Sequence, residues 1–100
     1  ARKYLQRHGY TILAEQVSRV SVIAVDNVKY EYEVRGDFLI QKGDRRGIVE
    51  VKTGDTAANP LSIPTRRQLF EYYHIFNVDV LYFFNTGKRI LQEISFPERV

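Results

Sequence analysis

Gly36-Asp37-Phe38-Leu39-Ile40-Gln41-Lys42-Gly43-Asp44-Arg45-Arg46-Gly47-Ile48-Val49-Glu50-Val51-Lys52 holds two short, largely apolar runs separated by a turn signal. Residues 37–41 and 48–53 read as strands, because β-branched, aromatic and aliphatic residues dominate them and glycines punctuate them. Gly43-Asp44 suits a two-residue hairpin loop, since glycine takes the positive φ that such loops need. With those two residues in the loop, 42 pairs with 45, 40 with 47 and 37 with 50. Side chains alternate across a strand, so Glu50 and Lys52 share one face while Val49 and Val51 turn to the other. Phe38 and Ile40 likewise point away from Asp37 and Leu39. Asp37 is therefore expected directly opposite Glu50, with Cβ atoms about 4.5–5.5 Å apart.

Two carboxylates opposed on a sheet repel unless something positive lies between them. A divalent cation supplies that charge, and Lys52 adds to it. Three hard oxygens converge here: Asp37, Glu50 and the backbone carbonyl of Val51. That donor set suits Mg²⁺ or Mn²⁺, which retain several waters and bridge to phosphate. A cation so held activates water and stabilises charge growing on phosphoryl oxygens. Lys52 is placed to orient that water or to neutralise the transition state. The competing reading is a solvated sheet face, with Asp37 or Glu50 ion-paired to Lys52, since Glu-x-Lys is a common strand pattern.

Outward from this core, residues 2–8 read as the end of a helix closed by Gly9. Residues 10–17 look extended. Residues 20–25 form a β-branched run ended by the turn signal Asp26-Asn27. Residues 28–34 alternate, with Val28, Tyr30, Tyr32 and Val34 against Lys29, Glu31 and Glu33, as in a strand with one wet face. Residues 53–64 read as a loop. Leu69, Tyr72, Tyr73 and Phe76 give residues 65–76 helical spacing. Residues 78–84 form a nearly continuous apolar strand, as expected when both faces are covered. Residues 85–88 make a turn before a last strand over 89–94. The expected architecture is α/β: a mixed central β-sheet flanked by helices, in a single domain over residues 1–100.

The chain has 100 residues, 44% hydrophobic and 27% charged, which fits one globular domain. It has no cysteine, which excludes a disulfide framework, a Cys-ligated zinc and a thiol nucleophile. That usage fits a reducing cytoplasm. No apolar run is long enough to span a bilayer and no secretory signal is visible, so no membrane partner is expected. The chain starts at Ala1 rather than Met, consistent with a piece of a longer protein. A net charge of +3 is compatible with a polyanionic partner.

The segment Gly36-Asp37-Phe38-Leu39-Ile40 followed by Ile48-Val49-Glu50-Val51-Lys52 resembles the D-x(n)-(D/E)-x-K core of the PD-(D/E)xK nucleases. It is similar above all to small Holliday-junction resolvase-like and RecB-type nuclease domains. The element order matches from about Val20 onward. The resemblance implies a restriction-endonuclease-like sandwich and Mg²⁺- or Mn²⁺-dependent hydrolysis of DNA phosphodiester bonds. Asp37 and Glu50 would bind the metal and Lys52 would act on the water. Gln68 and Tyr72 resemble a Gln-x-x-x-Tyr element that lies beside the active site in RecB-type domains. Two departures stand out: residues 2–8 carry no acid where many members have one on the leading helix, and Glu15 falls past that helix. Gly36 also stands where many members have Pro.

Gln68 has a second explanation. Thr65-Arg66-Arg67-Gln68 fits a capping box, with the Gln reaching back to the N-cap amide. Tyr72 has one too, as part of the buried helical stripe. Arg66 and Arg67 at the helix start, and Lys42, Arg45 and Arg46 around the hairpin turn, are candidate contacts to DNA phosphates. Against this, turns and helix surfaces are ordinarily charged. Tyr30 and Tyr32 are expected in a core or an interface rather than as a base-stacking platform. His8 and His74 have no Ser or Cys partner, and His74 is expected at a helix surface. Four functions remain: a metal-dependent DNA nuclease, acting as a homodimer where both strands are cut; a catalytically inactive nucleic-acid-binding or assembly domain of the same fold; a plain β-rich interaction module; and cleavage of RNA, which the sequence does not separate from cleavage of DNA.

Overall fold

The computed structural model describes residues 1–54 and 59–97, arranged as two helices on a five-stranded sheet. The sequence run from residue 53 to 64 expected as a loop lies partly outside the described residues. The elements are α1 (Arg2–Arg7), β1 (Thr11–Val25), β2 (Val28–Lys42), β3 (Arg45–Lys52), α2 (Ile63–Ile75), β4 (Val80–Asn85) and β5 (Ile90–Ile94). The sheet order is β1-β2-β3-β4-β5, with β3 and β4 parallel and the other neighbours antiparallel. The mixed α/β sheet expected from the sequence is thus present. No helix among the described residues is long and apolar enough to cross a membrane.

The central hairpin has the expected register. Lys42 pairs with Arg45, Ile40 with Gly47 and Phe38 with Val49, around a loop in which Gly43 has φ +63°. The parallel β3–β4 pair brings Glu50 beside Phe83 and Lys52 beside Asn85. β4 reads Val-Leu-Tyr-Phe-Phe-Asn because it is covered on both faces. On one face Ile48, Leu81 and Phe83 pack under Leu69 and Tyr72 of α2 and Phe76 at its C-cap. On the other, Val49, Val80, Tyr82 and Phe84 meet Leu5 of α1. Each large apolar side chain so buried contributes about 1.5–3 kcal/mol.

Two expectations are corrected. The separate extended pieces expected over 10–17 and 20–25 are one 15-residue strand, and those over 28–34 and 37–41 are another. Asp26 and Asn27 both adopt positive φ, the two-residue loop geometry that joins strands without splaying them. These two strands outrun β3, whose last partner on β2 is Phe38. The rest of the pair, out to Val25↔Val28, projects as a ribbon, and the molecule measures 48 × 29 × 28 Å. Tyr30 and Tyr32 lie on this ribbon and are exposed, so they are not core residues. Secondly, α2 begins three residues earlier than the capping box requires. Its N-cap is Ser62 and Pro64 occupies its first turn, where a missing N–H is harmless. Gln68 is therefore inside the helix and caps nothing.

Candidate functional site

The strands β2 and β3 part company just beyond the Phe38↔Val49 pair. At that point the α2-facing positions change parity. Val34 and Gly36 lie on the α2 side, yet so does Leu39, while Phe38 and Ile40 lie on the α1 side. Asp37 sits at the switch. Its Oδ2 accepts the Val51 N–H at 2.7 Å, a bond made by a side chain where strand pairing has run out. Gly36 is required at the neighbouring position, because a Cβ there would stand 2.8 Å from Ile48 Cγ2.

Asp37 and Glu50 are in side-chain contact, although the ladder stops one pair short of the expected pairing of 37 with 50. Glu50 is only 3% exposed, on the α2 side of the sheet. Its carboxyl is pushed up to about 8, first by burial and then by the hydrogen bond and charge of Asp37; Lys52 and the Tyr72 hydroxyl pull the other way. Lys52 Nζ lies 3.5 Å from Glu50 Oε2. Burial and the neighbouring Asp37 together outweigh the one ammonium at that distance, so the Glu50 carboxyl stands well above its ordinary value.

Tyr72 and Gln68 join the site from α2. The Tyr72 hydroxyl contacts Glu50 Oε2 at 3.2 Å and donates to the Arg35 carbonyl at 2.5 Å. It accepts from Gln68 Nε2 at 2.9 Å. Burial and the adjoining carboxylate raise the Tyr72 hydroxyl well above its ordinary value. Tyr72, which the resemblance also offers as a nucleic-acid contact, is 2% exposed and meets Glu50 through its hydroxyl. Gln68 is tied to the site through Tyr72, one step from the acids.

The five basic candidates are not gathered here. Lys42, Arg45 and Arg46 lie at the far end of the β2–β3 hairpin, roughly 15 Å from Glu50 at the rise of a strand. Lys42 donates to the His8 carbonyl at 2.9 Å, Arg45 pairs with Glu93 at 3.1 Å and Arg46 bonds Gln41 at 3.2 Å. Arg66 and Arg67 are exposed on α2 and line a surface hollow with Phe70 and Phe96. Among the described residues, neither of these two arginines has an ion-pair partner. His74 is exposed, as expected, and packs on Phe70. Glu15 is on β1 and pairs with Arg2 at 3.2 Å, so it does not join the acids.

One residue at the site had no sequence signal. Gln16 lies on β1 with its Nε2 3.4 Å from Asp37 Oδ1. Nothing in Glu15-Gln16-Val17 marks it, since its placement depends on a backbone φ of +54° inside a strand.

The donors present fit a hard divalent cation: two carboxylates and the backbone of Val51. A strand residue turns its N–H and C=O to the same edge. The Val51 carbonyl therefore faces the side on which its N–H meets Asp37. No group of three or more His, Cys, Asp or Glu side chains gathers among the described residues, so waters would complete the shell.

No protein-family model matches this chain, and no curated protein matches it in sequence. Its fold is similar to that in the crystal structure of SSO0001. The TM-score is 0.67 at 20% identity, over 98% of this chain and 48% of that one. This chain thus spans about half the length of that protein. At that identity the likeness is one of fold.

Proposed function

We propose that this chain is a metal-dependent nuclease domain of the PD-(D/E)xK type, a restriction-endonuclease-like sandwich that hydrolyses DNA phosphodiester bonds in the cytoplasm. The observation that carries the reading is the undercompensated acid pair Asp37–Glu50 with Lys52 at 3.5 Å, at the open edge where β2 leaves β3. Asp37, Glu50 and the Val51 carbonyl would hold Mg²⁺ or Mn²⁺, which when bound supplies Lewis acidity and lowers the pKa of water. Lys52, about one-third exposed, reaches from the acids towards solvent, where it can orient water and offset phosphoryl charge. Tyr72 fixes the rotamer of Glu50, and Gln68 fixes Tyr72. Arg66 and Arg67, exposed on α2, supply positive charge for the phosphate backbone. Two copies acting together would serve double-strand cutting, and the exposed apolar face of the ribbon, with Ile23, Val25, Val28 and Tyr30, is the contact we assign to them.

The second reading is a catalytically silent binding domain of the same fold. It is favoured by α1, which has no acidic residue, and by the engagement of Glu15 with Arg2. Cleavage of labelled linear, branched and single-stranded DNA with Mg²⁺ or Mn²⁺ separates the two. The nuclease reading expects metal-dependent cutting that both Lys52→Ala and Asp37→Ala abolish. Absence of cutting by a folded, DNA-binding wild type would favour the silent domain.

A further inference from the structure

Gln16 occupies an unusual backbone position. The β1–β2 ladder pairs Glu15 with Phe38 and Val17 with Gly36, which places Gln16 across from Asp37. Asp26 and Asn27 have positive φ in a hairpin loop, and Arg89 has it just before β5. Gln16, at φ +54°, has it inside β1. An L-residue enters that region at a cost and without a turn to justify it. The consequence is local: Val17 is turned into the core under α2, and the Gln16 amide is turned onto Asp37 Oδ1.

Asp37 therefore stands between two N–H donors, the Val51 amide on one oxygen and the Gln16 amide on the other. The two differ in what else they can do. A primary amide carries a carbonyl oxygen as well as its NH₂, and rotation about its last torsion exchanges them. Neutral carbonyl oxygens are hard ligands of the kind Mg²⁺ and Mn²⁺ accept beside carboxylates. Gln16 is on the exposed side of the strand pair and is free to make that rotation.

We infer that Gln16 is a ligand of the cation site, its side-chain carbonyl turning to the ion held by Asp37 and Glu50 and taking the place of a third acid. The inference rests on the metal-site reading given above. The left-handed backbone is retained because it aims this side chain; in an ordinary extended conformation residue 16 would follow the alternation of its neighbours.

Mn²⁺ alone is the probe, titrated calorimetrically into the wild type and into Gln16→Ala, Gln16→Gly and Gln16→Glu, with thermal unfolding of each. Gln16→Ala and Gln16→Gly should each weaken Mn²⁺ binding about tenfold or more. Gln16→Glu should restore or tighten it. Glycine accepts positive φ without strain, so Gln16→Gly should unfold no earlier than the wild type, and it carries the test where the alanine variant folds poorly. A purely structural residue would change the unfolding temperature and leave Mn²⁺ affinity alone. Wild type that binds Mn²⁺, with alanine and glycine variants that bind it equally well, overturns the role of Gln16 and spares the site. Wild type that binds no Mn²⁺ overturns both.

Discussion

Substituting Glu50 by glutamine tests the electrostatics of the site without DNA or metal. In the folded protein the Glu50 carboxyl is pushed up to about 8, whereas its ordinary value is 4.5. Between those values the unfolded chain binds fewer protons at this residue than the folded one. Its stabilising contribution is therefore complete below about pH 4.5 and is lost as the pH rises through about 8. At about 1.4 kcal/mol per pH unit, the loss between pH 5 and pH 8 is roughly 3–4 kcal/mol. The amide introduced by Glu50→Gln would keep the shape and can donate to Asp37, but it does not titrate. Urea unfolding in EDTA, followed by tyrosine fluorescence because the chain has no tryptophan, reads the difference directly. With an m-value of about 1 kcal/mol/M, the wild-type midpoint should fall by about 3 M relative to the variant across that range. Wild type and variant whose midpoints run parallel from pH 5 to pH 8 would refute the reasoning.

Tyr72→Phe leaves the Arg35 carbonyl and Glu50 Oε2 without their shared hydroxyl, so a loss of about 1–3 kcal/mol is expected in urea unfolding. The same variant should move the pH-dependent loss upward, because the Tyr72 hydrogen bond is one of the forces holding Glu50 down. Gly36→Ala drives a methyl to 2.8 Å from Ile48 Cγ2, and calorimetry should show destabilisation of about 1–3 kcal/mol. Lys52→Ala should slow DNA cleavage by about 10²–10³-fold with Mn²⁺ affinity little changed; an equal loss of both would make Lys52 a determinant of binding instead. Ile23→Lys together with Tyr30→Lys should leave sedimentation at the monomer where the wild type associates, and identical sedimentation would remove the ribbon as a contact.

The hairpin at the centre of the fold was legible because its information is local. Gly43-Asp44 sets the loop, the loop sets the register, and the register carries to Phe38↔Val49. The buried strand β4 and the helix α2 were legible from hydrophobic pattern for the same reason. The long strands were not, because nothing in residues 17–20 or 34–37 shows that β1 and β2 continue through. Arg19 and Arg35 look like breaks between apolar runs. In the structure Arg19 lies over the Phe76 ring and Arg35 pairs with Glu33, so the charges are accommodated on uninterrupted strands. The start of α2 was misplaced by a competition between two caps: Thr65 has the chemistry of an N-cap, but Asn59 organises the turn that makes Ser62 the cap.

The acid pair itself was legible as a register argument, but its character was not. Perfect pairing would have set Asp37 and Glu50 side by side on a flat ladder, each open to water. Instead β2 turns away one residue too early for that, and three things follow. The Val51 N–H loses a strand partner and takes Asp37 as acceptor. The Val51 carbonyl faces the same edge as that N–H. Glu50 stays with β3 and β4 under α2, so it is buried while its neighbour is only half so. The difference between two like groups thus arises from where one strand leaves another, and the switch at Gln16 is the matching irregularity on β1. Alternation rules assume regular strands, so they find residues 37 and 50 but not residue 16. The residue they miss is the one whose position depends on breaking them.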